Sequence, residues 1–141
     1  MQTSILFANK ITLYLNIIFS DRLFLTRPHK IALLPIQMVL KLTGLLDKFD
    51  GKLYSANDVS RPKPFPDVYL YAAEQMNTNP EDCAVIEDSV TGVQAAYAAG
   101  MTVFGYAHQS DACGGLRQRT ALAEAGAKIV FNDMQQLAQL L

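Results

Sequence analysis

The sequence CAVIEDSVTGVQAAYAAGMTVFG, residues 83–105, predicts a strand, a helix and a second strand in that order. Residues 83–86 are a short apolar run, which is typical of a buried strand. Residues 90–99 predict a helix that ends at Gly100, because glycine tolerates the left-handed backbone that commonly follows a helix. Residues 101–105 predict the next strand. A strand–helix–strand unit of this kind joins two parallel strands of one sheet.

The same alternation continues on both sides of this unit. Downstream, the pattern predicts helices over 116–125 and 133–141, with a strand over 128–131 between them. Upstream, it predicts a short strand over 52–55 and a helix over 67–77 that a proline opens. We therefore predict an α/β fold, with a parallel sheet and helices on both of its faces.

The composition of the chain changes near residue 40. Residues 1–40 have four basic residues, one acid and no glycine, whereas residues 41–141 have eight basic residues, twelve acids and all eight glycines. We therefore predict a boundary that leaves 1–37 as an unassigned hydrophobic segment and 38–141 as the α/β part. The whole chain of 141 residues has a formal net charge of −1 and is 50% hydrophobic. This excludes a disordered tail and gives no basic field for nucleic acid.

The cysteines and the apolar segments indicate in which cellular compartment the protein is expected. Cys83 and Cys113 belong to no Cys-x-x-Cys pair, which favours a reducing cytoplasm over a disulfide framework. Residues 11–19, ITLYLNIIF, are apolar but only about half as long as a membrane-spanning helix of ~20 residues. A cytoplasmic protein without a membrane partner is predicted, and a membrane-associated front segment is the alternative.

The acidic pair Glu87–Asp88 directly follows a predicted strand and precedes a helix that Ser89 could cap. Ligands of parallel α/β sheets bind beyond the carboxyl ends of the strands, where this pair falls. A hard divalent cation such as Mg²⁺ would relieve the repulsion between two adjacent carboxylates. The alternative is a solvated acidic turn that only caps the helix.

Lys63 lies within the segment RPKPFPD, residues 61–67, which has a proline at every second position. The prolines restrict the backbone and leave the lysine few directions in which to point. A preorganised ammonium group is useful where a phosphate or a carboxylate must be held. The alternative is an idle lysine on a proline-rich surface loop.

Several segments taken together resemble the haloacid dehalogenase (HAD) superfamily of hydrolases, in particular its β-phosphoglucomutase and sugar-phosphate phosphatase branch. The likeness covers about residues 38–141, in the C-terminal part of the chain. Its landmarks occur in the family's order: LLDKF at 45–49, RPKPFPD at 61–67, VIEDSVTGVQAA at 85–96 and GMTVF at 100–104.

The resemblance implies a Rossmann-like sheet and a Mg²⁺-dependent phosphomonoesterase acting on a small sugar phosphate. In the intact family, an aspartate attacks phosphorus to form an aspartyl phosphate, which water then hydrolyses. By resemblance, Lys63 would hold the nucleophile and the phosphate, and Glu87 and Asp88 would bind or orient Mg²⁺. Ser89 would lie near the site.

The chain departs from the family at the nucleophile. The family's Asp-x-Asp-x-Thr motif is absent from these 141 residues, and there is no room for the helical cap domain. The run Leu23–Thr26 has the character of the family's Ser/Thr strand, but the fit of Thr26 is poor. We therefore expect an incomplete sheet that lacks its middle strand. Either residues 1–40 supply a replacement strand, for which 11–19 are the obvious candidate, or the chain pairs with another copy or aggregates through its open strand edges.

Two functional hypotheses follow from the resemblance and the departure. The first is a truncated or frame-shifted, inactive form of a sugar-phosphate phosphatase. The second is a non-catalytic remnant that binds a metal or dimerises. A small phosphorylated metabolite is the partner that the intact family implies.

Overall fold

The computed structural model describes residues 4–8, 23–27, 41, 42, 44, 46, 53–55, 58–107 and 114–140. Within these residues, six parallel strands form one sheet in the order β3-β2-β1-β4-β5-β6. The strands are β1 Ser4–Ala8, β2 Leu23–Arg27, β3 Leu53–Ser55, β4 Cys83–Glu87, β5 Thr102–Tyr106 and β6 Ile129–Phe131. The helices are α1 Asp67–Gln75, α2 Val90–Ala98, α3 Gly114–Glu124 and α4 Leu137–Leu140. The predicted α/β fold is confirmed.

The middle of the sheet is filled by the start of the chain. Strand β1 lies between β2 and β4, with Phe7 level with Leu25 on one side and with Ile86 on the other. The expectation of a missing middle strand is therefore wrong for this sheet. That expectation rested on the absence of the acidic motif that the family has in this strand. A strand can pair without those acids, because pairing needs only backbone donors and acceptors. The candidate replacement, residues 11–19, lies outside the described residues.

The unit around β4 forms as its local sequence predicts. All five residues of β4 are buried, as expected for a strand with neighbours on both sides and covered faces. Helix α2 begins after Ser89, whose hydroxyl oxygen accepts a hydrogen bond from the Gly92 backbone N–H at 3.1 Å. Gly100 follows the helix with a φ of 77°, the left-handed conformation that favours glycine.

The last predicted helix, over 133–141, differs most from the structure. A 3-10 turn, Met134–Gln136, precedes the short helix α4. Asp133 caps this turn by accepting a hydrogen bond from the Gln135 backbone N–H at 2.9 Å. The cap fixes where the segment begins, at Asp133, which is also the first residue of the predicted helix.

The hydrophobic core lies between the sheet and its helices. Helix α1 contributes Val68, Tyr69, Ala72 and Ala73, which are buried at the spacing of one helical face. Leu122 of α3 is fully buried as well. None of the described helices is long and apolar enough to cross a membrane.

Candidate active site

Three strand ends meet at the carboxyl edge of the sheet. Strand β4 ends at Glu87, and β1 ends one residue after the Phe7–Ile86 pair, so Ala8 is level with Glu87. On the other side of β1, Ala8 is level with Thr26 of β2. The edge where a parallel sheet binds ligands therefore brings these three positions side by side.

Lys63 reaches this edge from the proline-rich loop, in which the Lys63–Pro64 peptide bond is cis. Its ammonium nitrogen forms an ion pair with Glu87 Oε1, across 24 residues of sequence. Only 2% of the Lys63 side chain is exposed, and none of the Glu87 side chain. The idle surface lysine is therefore the wrong alternative, and the structure brings Lys63 into contact with Glu87 of the acidic pair.

The Glu87 carboxylate accepts hydrogen bonds at both of its oxygens. Oε1 accepts from Lys63 and from the Tyr69 hydroxyl at 2.7 Å. Oε2 accepts from the backbone N–H groups of Asp88 and Ser89, at 3.0 and 3.1 Å, and from the Ser89 hydroxyl at 2.9 Å. A carboxylate has about four lone-pair sites. These five donors therefore use its full capacity.

Two residues that sequence reasoning did not assign to the site enclose this carboxylate. Tyr69 is fully buried, and the Lys63 ammonium lies 4.7 Å from the centroid of its ring, a cation–π contact. Gly92 packs its Cα against Glu87, and a Cβ built there would overlap the carboxylate. In the sequence, Gly92 is a glycine inside a predicted helix, which by itself indicates only close packing of that helix.

Asp88 occupies the outer side of the same edge. It is partly buried, and its backbone carbonyl accepts a hydrogen bond from the Gln118 side chain at 3.1 Å. Within the described residues, no cluster of three or more acidic, histidine or cysteine side chains has the geometry of a metal centre. Direct metal ligation does not fit Glu87 as it is hydrogen-bonded. Asp88 is the carboxylate at this edge that could hold Mg²⁺.

The outer end of the proline-rich loop is closed by a second ion pair. Arg61 donates two hydrogen bonds to the Asp67 carboxylate, at 2.7 and 3.1 Å, and its guanidinium lies 4.7 Å from the centroid of the Phe65 ring. The hydrogen bonds from Arg61 hold the pKa of Asp67 below its ordinary value. This fork-shaped pair ties the start of the loop to the first turn of α1.

The position of Ala8 reveals a pattern that a search for acids cannot find. Ala8, Lys10 and Thr12 have the spacing of Asp-x-Asp-x-Thr, with alanine and lysine in place of the two aspartates. Strand β1 places Ala8 beside Glu87, and Lys10 and Thr12 lie outside the described residues. The detectable signal was a strand-like run, Ser4–Ala8, followed by threonine at the correct distance.

Part of this chain is similar in sequence to known hydrolases. Residues 32–100 match the family of haloacid dehalogenase-like hydrolases. The 6-phosphogluconate phosphatase of Escherichia coli K12 is 45% identical over 61 residues, which are 43% of this chain and 28% of that protein. The matched segment therefore covers less than a third of the length of this relative.

Two solved structures share the fold over most of the chain. A haloacid dehalogenase-like protein of Agrobacterium tumefaciens has a TM-score of 0.75 at 30% identity, covering 94% of this chain and 58% of that one. A HAD family hydrolase of Deinococcus radiodurans, with bound phosphate and sodium, has a TM-score of 0.70 at 32% identity. It covers 84% of this chain and 51% of its own.

Proposed function

We propose, on the premise that the matched part of this chain is a haloacid dehalogenase-like hydrolase domain, that the chain keeps a phosphatase scaffold without its nucleophile. The observation that carries the proposal is the end of β1 at Ala8, level with Glu87 and next to the Lys63 ion pair. Alanine has no nucleophilic group. The chain is then a catalytically silent relative of Mg²⁺-dependent phosphatases that act on small sugar phosphates.

The residues present could position groups and neutralise charge in such a site, but they do not supply the nucleophile for the covalent step. In the intact reaction, an aspartate oxygen forms the new bond to phosphorus while the bond to the sugar oxygen breaks. Lys63 and the Glu87 carboxylate would order the strand end where that aspartate stands. Magnesium, held by Asp88, would supply neutralisation of phosphate charge.

The test is phosphate release from 6-phosphogluconate and from para-nitrophenyl phosphate in the presence of Mg²⁺. The wild-type chain should release no phosphate above the buffer rate. The double variant Ala8→Asp/Lys10→Asp should release it measurably, because it restores both acids at the family's spacing. Ala8→Asn/Lys10→Asn is the matched control, since its side chains have a similar shape and no carboxylate. Turnover by the wild-type chain at the rate of the restored variant would refute the proposal.

The proposed ligand class and compartment rest on separate observations. A net charge of −1 offers no basic surface for nucleic acid, which favours a small phosphorylated metabolite as the partner. Burial, with a smaller contribution from the charge of Asp82, raises the pKa of the Cys83 thiol to about 11. A protonated, unpaired thiol in the core suits the reducing cytoplasm.

A further inference from the structure

The Glu87 carboxylate has the environment of an anchor rather than that of a metal ligand. We propose that Glu87 is a positioning residue that fixes the Lys63 ammonium at the sheet edge, and that it does not ligate a divalent cation. Tyr69 and Gly92 hold the carboxylate in this role. The inference rests on the proposed function only in taking this edge of the sheet as the functional site.

The first argument is hydrogen-bonding capacity. Both oxygens of Glu87 already accept from protein donors, two at Oε1 and three at Oε2. Three of these donors belong to Asp88 and Ser89, which directly follow Glu87 in the chain. A metal ion would have to displace at least one of the five donors. Because the site is buried, a displaced donor would be left without a partner, which is costly.

The second argument is charge. The Lys63 ammonium occupies the position next to Oε1, and both side chains are almost completely removed from solvent. A divalent cation on the same oxygen would stand within a few ångströms of this ammonium, in a medium that screens charge weakly. The lysine thus supplies the positive charge that Glu87 needs, and the two cations exclude each other.

The third argument is shape. The Glu87 carboxylate fits against the Cα of Gly92, where a Cβ would overlap it. On the other side, the Tyr69 hydroxyl holds Oε1 at 2.7 Å, and the Tyr69 ring faces the ammonium of Lys63. Tyr69 comes from α1 and Gly92 from α2, so two helices fix the rotamer of a side chain on β4. A carboxylate confined in this way directs the lysine to one position.

The experiment measures the acetylation rate of individual lysines by mass spectrometry. Lys128 is exposed and serves as the internal reference, and alkylation of buried Cys83 reports global unfolding. In the wild-type chain, Lys63 should react about tenfold or more slowly than Lys128, because it is buried and paired. Equal rates for Lys63 and Lys128 would overturn the proposal.

The variants test the two positioning residues. Gly92→Ala and the milder Tyr69→Phe should raise the acetylation rate of Lys63 while Cys83 stays protected. Gln94→Ala, at an exposed position of the same helix, is the control and should leave Lys63 unchanged. A Lys63 rate that neither variant changes would overturn the role given to Tyr69 and Gly92. If Gly92→Ala unfolds the chain and exposes Cys83, Tyr69→Phe alone decides.

Adding Mg²⁺ to the wild-type chain tests the claim that Glu87 does not ligate a divalent cation. This test needs no assay of phosphate release. If Glu87 ligated Mg²⁺, the ion would displace Lys63, and acetylation of Lys63 would accelerate in millimolar Mg²⁺. We expect the rate to be the same with and without Mg²⁺. An acceleration of about tenfold with Cys83 still protected would show that Glu87 exchanges the lysine for the metal.

Discussion

Lys63 and Glu87 depend on each other because neither can reach water. Lys63→Met removes the ammonium and leaves a buried carboxylate without its counter-charge. We expect a loss of about 3–5 kcal/mol in the free energy of unfolding, as is usual when one partner of a buried pair is removed. Urea denaturation followed by circular dichroism measures the change.

The matched control for this prediction is the second ion pair of the same loop. Arg61→Met breaks the exposed Arg61–Asp67 pair, which water and salt screen well. This variant should lose far less stability than Lys63→Met, because the pair is partly exposed to solvent. Equal losses for Lys63→Met and Arg61→Met would contradict the different burial of the two pairs.

Gly92 provides a test in which two effects have opposite signs. Alanine is a better helix former than glycine, so Gly92→Ala in an open helix would stabilise the chain by about 1 kcal/mol. Here the added Cβ overlaps the Glu87 carboxylate, so we expect the variant to be less stable than the wild type. The thermal midpoint of both proteins decides the sign, and Gln94→Ala reports the effect of a substitution on the exposed face of α2.

At the scale of elements, the proline-rich loop is held at both ends by ion pairs of different character. The Lys63 end is buried in the site, whereas the Arg61 end is closed over the first turn of α1 in contact with solvent. The loop brings Lys63 to the sheet. The Arg61–Asp67 pair therefore affects the site only through the loop backbone that connects it to Lys63.

The outer pair makes a specific prediction about pH. The folded chain lowers the pKa of Asp67, mainly through the hydrogen bonds from Arg61, so the folded state binds fewer protons at this group than the unfolded state. Its stabilising effect is complete above the unfolded pKa of about 3.9 and is lost as the pH falls through the folded value. The stability difference between the wild type and Asp67→Asn should be present at neutral pH and should vanish in acid. A difference that persists unchanged to the lowest pH would contradict this source of stability.

At the scale of the whole molecule, β1 joins two parts of the sheet that are far apart in sequence. It pairs with β2 on one side and with β4 on the other. The hydrogen-bonded sheet is therefore continuous from β3 to β6 only through β1, residues Ser4–Ala8. The two outermost strands of the described sheet, β3 and β6, have three residues each. Short outer strands limit edge-to-edge pairing between sheets.

The central position of β1 predicts that the whole fold depends on it. Leu6→Pro removes a backbone donor from a strand with neighbours on both sides, a position from which proline is normally excluded. We expect loss of the cooperative unfolding transition. Ile129→Pro, on the outer strand β6, is the control and should retain that transition, because only one side of β6 is paired. Cooperative unfolding of Leu6→Pro at the wild-type midpoint would refute the placement of β1.

The sequence alone was sufficient for the strand–helix–strand unit that begins at residue 83. Helix α2 and strands β4 and β5 agree with their predicted bounds to within one residue, because burial periodicity, the cap Ser89 and the terminal Gly100 are local signals. The resemblance of the surrounding segments to one family also selected Lys63 and Glu87 as candidate site residues. It did not predict that the two side chains form an ion pair with each other.

Only the tertiary structure decided the rest. Strand β1 is one of several apolar runs in the first forty residues, and what distinguishes it is its pairing with Val85 and its neighbours, which lie about eighty residues away in sequence. Likewise, nothing in the local pattern shows that five donors surround Glu87, because Lys63 and Tyr69 come from other elements. Local signals determine where helices and strands begin and end, whereas a central strand and a saturated carboxylate are products of contacts between residues that are distant in the chain.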